Sequence, residues 1–478
     1  MSRAPEATWP RWAFAALCVA AFAGFLAYPT YPNYDSYYSL LWGREVLALE
    51  KPHFEGWRVP TEHPLAIVAG AILSLFGKVG DRLWILAVLA SFLVLVAGVF
   101  RLGRIAFTPV VGAIAAALLL TRFDFAFLAA RGYIDIPYMA LVVWALVLEI
   151  QRPRRGTVVF VLLALSGLLR VEGWLLAALY WLWMFPPSTW GQRARWTVLA
   201  SIGPLGWMAT DFLVTGNPLF SITYTSGSAE DLGRSRSFAE IPGTLPGFFS
   251  SLIKMPVLAA ALIGIGLAAW LVPRRTVGPL LLLVTGIGTF MAIAAAGASV
   301  IERYLVIAAL ALLIFAAVTV GGWSLLAPGR VRSAWMWTAI VVVTAGAAWT
   351  ATNLDLRQFD DQLRFRGDAH RSLVAVLREP AVEEALGCGP LTFPNHKLVP
   401  DGRWITGLSF EEVFARSEAA RSEDREPADR GVAVFATSRM AIFLHAYTDP
   451  DDPAHIQVPE DGWTPVARSE HYAAYARC

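Results

Sequence analysis

Apolar runs broken by short arginine-bearing stretches occupy residues 12–352, and their lengths are those of membrane helices rather than strands. Runs stand at 12–30, 64–76 and 83–100, and again near 197–213, 254–272, 277–298, 303–323 and 335–352. Between them lie Arg101/Arg104, Arg152/Arg154/Arg155, Arg193/Arg195, Arg274/Arg275 and Arg330/Arg332, with Arg3 and Arg11 ahead of the first run. The positive-inside bias places all of these on the cytoplasmic side. Two loops on one side of a bilayer are joined by an even number of crossings, and this parity decides the ambiguous stretches. Only two crossings fit before Arg101, so "HPLAIVAGAILSLFG", short of the roughly 20 residues a span needs, is expected as an interfacial helix within an external loop, residues 31–82. Between Arg155 and Arg193, "TVVFVLLALSGLL" and "GWLLAALYWLWMF" must be two short crossings with "RVE" on an outer turn.

The expected fold is therefore a polytopic α-helical membrane protein of about 11 transmembrane helices, with the N-terminus cytoplasmic and the C-terminus extracytoplasmic. The first run is read as a retained helix rather than a cleaved leader, because a small-residue cleavage site is hard to place before Tyr28 and more membrane spans follow. Residues 1–352 form the membrane domain. Residues 353–478 are charged and proline-dotted, and "GVAVFATS" and "MAIFLHAY" read there as short strands or a buried helix, so a small external α/β domain is expected. Cys388 and Cys478 lie in that domain and are expected to form a disulfide on an oxidising side.

Composition narrows the class. Hydrophobic residues make up 56% and charged residues 16%, against about one-quarter charged in soluble domains, so the lipid bilayer is the first partner. No basic stripe lies outside the short loops, which argues against nucleic acid. His53, His63 and Glu62 do not have a recognised metal-ligand spacing, so neither a divalent metal nor another cofactor is expected.

The exceptional residues are charges on the outer side, where arginine runs against the bias. They are Asp35, Arg44, Glu45, Glu62 and His63; Arg122, Asp124, Arg131 and Asp135; Arg170 and Glu172; Asp211; and Glu302 and Arg303. Asp35 sits among Tyr31, Tyr34, Tyr37 and Tyr38, a partly dry setting that suits a carboxylate to proton transfer. Asp35 and Asp135 also have the look of helix caps, and Arg131 and Asp135 that of a local ion pair.

In order along the chain, "YPNYDSYYSLLWGREV", "TEHPLAIVAGAILSLFG", "ARGYIDIPYMALVVWAL", "LLRVEGWLLAALY", "TGNPLFS" and "ERYLVIAALALL" resemble the motifs of the GT-C superfamily of membrane glycosyltransferases. The similarity is to the protein O-mannosyltransferase and aminoarabinose-transferase branch, and it covers roughly residues 12–352. Two departures stand out: a lone Asp35 replaces the acidic pair of the protein mannosyltransferases, and "RVEG" replaces RPEG. The resemblance implies a transferase that moves a sugar, a mannose-type hexose, from a polyprenyl-phosphate donor to a hydroxyl of a glycan, lipid or protein acceptor. Asp35 matches the first acidic motif and takes the base role, and Asp135 matches the second. Transfer from a phosphate ester also needs positive charge for the leaving group, and a guanidinium supplies it without a metal. Arg170, Arg303 and Arg131 are expected in that role, with Tyr34, His63, Glu172 and Tyr304 around the donor. A pentosyltransferase using polyprenyl-phosphate arabinofuranose is the alternative enzyme, and a lipid-linked sugar flippase or transporter the alternative class.

Overall fold

The computed structural model of the protein describes residues 9–231, 233–234, 236, 238–353, 356–419, 428–445 and 459–478, so Arg3 lies outside the described residues. In chain order the helices begin α1 (Trp9–Ala27), α2 (Tyr34–Leu47), α3 (Pro64–Ser74), α4 (Gly80–Ala106), α5 (Pro109–Leu120), α6 (Phe123–Ala130) and α7 (Asp135–Gln151). They continue with α8 (Thr157–Leu169), α9 (Glu172–Met184), α10 (Trp190–Thr215), α11 (Phe220–Asp231), α12 (Ile241–Ile253), α13 (Met255–Leu271) and α14 (Pro273–Ala295). The remainder are α15 (Val306–Gly321), α16 (Arg330–Asn353), α17 (Leu356–Leu377), α18 (Pro380–Ala385), α19 (Val399–Thr406), α20 (Arg416–Ala419) and α21 (Arg439–His445). The strands are β1 (Leu391–Phe393), β2 (Val413–Ala415), β3 (Gly431–Ala436), β4 (Thr464–Arg468) and β5 (Tyr472–Arg477).

Every run expected to cross the membrane is helical, as α1, α4, α5, α7, α8, α9, α10, α13, α14, α15 and α16. Among the described residues, five helical stretches are long and apolar enough to span alone: α1, residues 77–106, α10, α14 and residues 302–325. Two bent pairs, α5 with α6 at 64° and α12 with α13 at 109°, bring the number to as many as seven if each pair makes one span. The 13 residues each of α8 and α9 fall short of the roughly 20 that a straight span requires. The 11-residue α3 is likewise too short to cross, and Val68 and Ile72 form an exposed apolar stripe one turn apart on it, as an interfacial helix needs.

The chain forms two compact units. One comprises residues 1–23, 63–65 and 86–359, and the other residues 24–62, 66–85 and 360–478. Most of the loop between α1 and α4 therefore groups with the C-terminal segment.

In the first unit, α15 is buried on all sides from Val306 to Val318, which marks it as the central helix. Its neighbours approach it through glycines: a Cβ on Gly264 of α13 would stand 1.8 Å from the Phe315 carbonyl oxygen, and one on Gly286 of α14 2.6 Å from the Ala308 nitrogen. Small residues at such crossings replace the hydrophobic drive that lipid cannot supply. Thr319 adds a 2.6 Å hydrogen bond to the Ala260 carbonyl.

In the second unit, Gly43 of α2 and Gly70 of α3 make a similar close crossing, each with a hypothetical Cβ 2.2 Å from the opposing backbone. Glu45 of α2 accepts from Arg403 of α19 at 2.6 Å, with both side chains buried, which ties the loop to the C-terminal segment. The sheet has the order β2-β1-β3-β5-β4, parallel through β2, β1 and β3 and antiparallel from β3 to β4. "GVAVFATS" supplies β3, buried along its whole length, and the described part of "MAIFLHAY" falls in α21. Ala369, Leu373, Val376 and Leu377 place one face of α17 in the core beside β1, β3 and β5. Cys388 is bonded to Cys478 across a separation of 90 residues.

Gly264→Val should lower stability by about 1–3 kcal/mol or more, because the added side chain meets backbone that cannot yield. Thermal melting of the purified protein in detergent tests this, and an unchanged midpoint would mean that α13 and α15 are not packed as described.

Candidate active site

The charged residues of the first unit converge on the starts of α7 and α9. Asp135 opens α7, and Pro137 follows in the first turn, where a missing backbone N–H is not needed. α8 ends at Leu169, Arg170 is extended, and α9 begins at Glu172, so "RVEG" is the turn between the two short helices. Gly173 makes that turn tight, since a Cβ there would lie 2.5 Å from the Gly167 nitrogen.

Asp135 is not a cap. Its Oδ1 accepts from Arg170 Nη1 at 2.6 Å, while Arg170 Nε and Nη2 both donate to Glu172 Oε1, at 3.0 and 2.6 Å. All three residues are buried. The guanidinium also lies over the rings of Tyr304 and Tyr138, at 4.8 and 5.6 Å. A lone buried cation would be costly, and two carboxylates with aromatic faces offset that cost. Arg303 joins this arrangement at its edge: its side chain is 27% exposed, its Nε is 3.8 Å from Asp135 Oδ1, and its guanidinium lies over the ring of Tyr133. Arg131 is buried and ends α6.

His63 belongs to the same unit. Its ring meets Trp207 of α10 edge to face, with centroids 5.5 Å apart. Burial, then the Arg170 guanidinium, pushes its imidazole down to about 3, so at neutral pH it is uncharged. Asp135 Oδ2, His63 Nδ1 and Trp207 Nε1 are among the buried atoms here that make no hydrogen bond. Trp174, beside Trp207, is satisfied by the Gly167 carbonyl at 2.9 Å.

Two other charges singled out in the sequence have structural partners. Asp211 accepts from the Ser221 backbone and hydroxyl, and Arg122 donates to the Ile253 carbonyl at the end of α12.

Asp35 and Tyr34 belong to the second unit. The cap of α2 is Asn33, whose side chain accepts from the backbone N–H groups of Asp35 and Ser36 at 2.9 and 3.3 Å, so Asp35 is not a cap either. Its carboxylate sits half-buried in the first turn. The tyrosines around it are partly structural: Tyr37 and Tyr38 are in the core, Tyr31 stacks on His370 at 4.1 Å, and Tyr34 donates to the Arg58 carbonyl.

The described residues form a polytopic helical membrane fold with a small five-stranded sheet. The chain has the fold of ArnT from Cupriavidus metallidurans: the crystal structure bound to undecaprenyl phosphate matches with a TM-score of 0.59 at 14% identity, over 98% of each chain. The apo structure of the same protein matches at 0.55 and 13% identity, again over 98% of each chain. No family model and no curated sequence matches.

Asp135→Ala should cost about 3–5 kcal/mol of stability, because it strips one partner from a buried cation. Melting in detergent measures this, and a loss within error would mean the pair is solvated. A second expectation follows from His63, whose imidazole stays neutral down to about 3 when folded and takes a proton near 6.5 when unfolded. The unfolded state binds more protons throughout that window, so stability falls as pH drops below about 6.5. His63→Asn should remove that part of the acid sensitivity, and parallel acid melting curves for parent and variant would refute it.

Proposed function

We propose that the protein is a membrane glycosyltransferase that transfers a sugar from a polyprenyl-phosphate carrier to an acceptor hydroxyl on the outer face of the membrane. The observation that carries this reading is the division of labour between two arginines. Arg170 has its donors taken up by Asp135 and Glu172, whereas Arg303, more exposed, stands at the edge of that cluster over an aromatic ring. A cation so placed suits a lipid-borne phosphate, because a guanidinium matches phosphate oxygens and stabilises the charge that develops as the phosphate leaves. The likeness to ArnT, whose crystal structure holds undecaprenyl phosphate, supports a carrier of the same chemistry.

On this reading Arg303 holds the donor phosphate, with Arg131 as a second cation. Arg170, Asp135 and Glu172 position it by fixing the turn between α8 and α9 against the start of α7 and the segment that carries Tyr304. Asp35 takes the acceptor's proton, a role that rests on its match to the first acidic motif and is supported by Asn33 relieving it of capping. A mannose-type hexose is the proposed sugar, with arabinofuranose the other that this constellation accommodates. The proposed orientation has the N-terminus cytoplasmic and the C-terminal domain outside.

Asp35→Asn should lower single-turnover transfer roughly 10²–10⁴-fold while leaving donor binding largely intact. Arg303→Ala should instead weaken donor binding about tenfold or more, by removing a charge-assisted contact. Purified variants assayed with polyprenyl-phosphate sugars, with affinity and single turnover measured separately, test both. Wild-type turnover by the Asp35 variant, or unchanged donor affinity in the Arg303 variant, would place the chemistry elsewhere.

A further inference from the structure

His63 was expected beside the donor phosphate or sugar, and its surroundings distinguish the two. Three of the buried polar atoms here that make no hydrogen bond lie outside the arginines: the acceptor Asp135 Oδ2, the ring nitrogen His63 Nδ1 and the donor Trp207 Nε1. They belong to one neighbourhood, since His63 packs on Trp207 and lies close enough to Asp135, Arg170 and Arg303 to feel their charges. The Leu169 backbone carbonyl is the ring's other partner, which puts the imidazole proton on Nε2 and leaves a lone pair on Nδ1. The set is therefore two acceptors and one donor. A phosphate oxygen accepts only, so it satisfies the indole but faces two lone pairs. An ammonium donates to both acceptors and leaves the indole unmatched. A hydroxyl donates and accepts, and a ring bearing several hydroxyls satisfies all three. Leaving such groups unmatched in a dry site is costly, which is how a site built for a hydroxyl discriminates against ligands that lack it.

We propose that Asp135 Oδ2, His63 Nδ1 and Trp207 Nε1 form a hydroxyl-reading subsite for the sugar ring of the lipid-linked donor, an assignment that rests on the glycosyltransferase reading above. The phosphate is then held by Arg303, and His63 takes no part in binding it. Trp207 becomes a substrate-binding residue on α10, where the sequence singled out only Asp211.

The test compares two kinds of probe with the protein in lipid nanodiscs: undecaprenyl phosphate alone, and undecaprenyl phosphate carrying mannose or arabinofuranose. The wild type should bind one of the sugar-bearing lipids more tightly than the bare one. Trp207→Phe keeps the ring and removes the N–H, and it should cut that preference about tenfold while leaving affinity for the bare phosphate as in the parent. His63→Leu should do the same, and His63→Asn, which returns an acceptor near the position of Nδ1, should restore the preference. Arg303→Ala should weaken both kinds of lipid alike. A preference that survives Trp207→Phe means that these atoms bind water only, and equal weakening of bare and sugar-bearing lipid means that they bind phosphate. Either result overturns the subsite alone. A wild type that binds no undecaprenyl phosphate at all overturns the donor reading, and the subsite with it.

Discussion

A guanidinium buried among membrane helices must be neutralised where it stands, and the architecture of the first unit follows from meeting that demand for Arg170. Burial withdraws it from solvent, and two carboxylates and two tyrosine faces surround it instead. Those partners come from the start of α7, the start of α9 and the segment leading into α15. The helices are thus fixed at their ends by charge and along their lengths by glycine crossings, two forms of contact that do not depend on excluding water from apolar surface. Asp135 and Glu172 are thus committed to Arg170 as charge partners.

Much of this was legible in the chain. Arginine spacing and parity separated "TVVFVLLALSGLL" from "GWLLAALYWLWMF", and the break falls at "RVE" as expected. The outer-side charges identified Asp135, Arg170 and Glu172, because charge in an apolar context is rare enough to single out. What the sequence could not supply was pairing. Nothing in the spacing distinguishes an Arg131–Asp135 pair from the long-range bond between Arg170 and Asp135, since both depend on how separate helices meet. Trp207 was invisible for a related reason: a tryptophan in an apolar run reads as lipid-facing, and only an unpartnered buried N–H sets it apart. The cap on α2 was within reach, as Asn33 precedes the helix directly, but Asp35 was the more conspicuous residue.

The grouping of the loop after α1 with the C-terminal segment left no mark in the sequence. Contacts such as Glu45 with Arg403, whose partners lie 358 positions apart, join the two. A polar loop and a polar tail share the same solvent, and their association leaves no periodic trace in either.

The strand order of the small sheet constrains how that unit is made. β5 comes last along the chain, yet it lies between β3 and β4, so until it emerges those two neighbours present unpaired backbone edges. Edges of this kind recruit strands from other chains. The nascent protein therefore passes through a vulnerable interval whose length is set by the rate of synthesis, and crowded production should favour intermolecular pairing at β3 over completion of the native sheet.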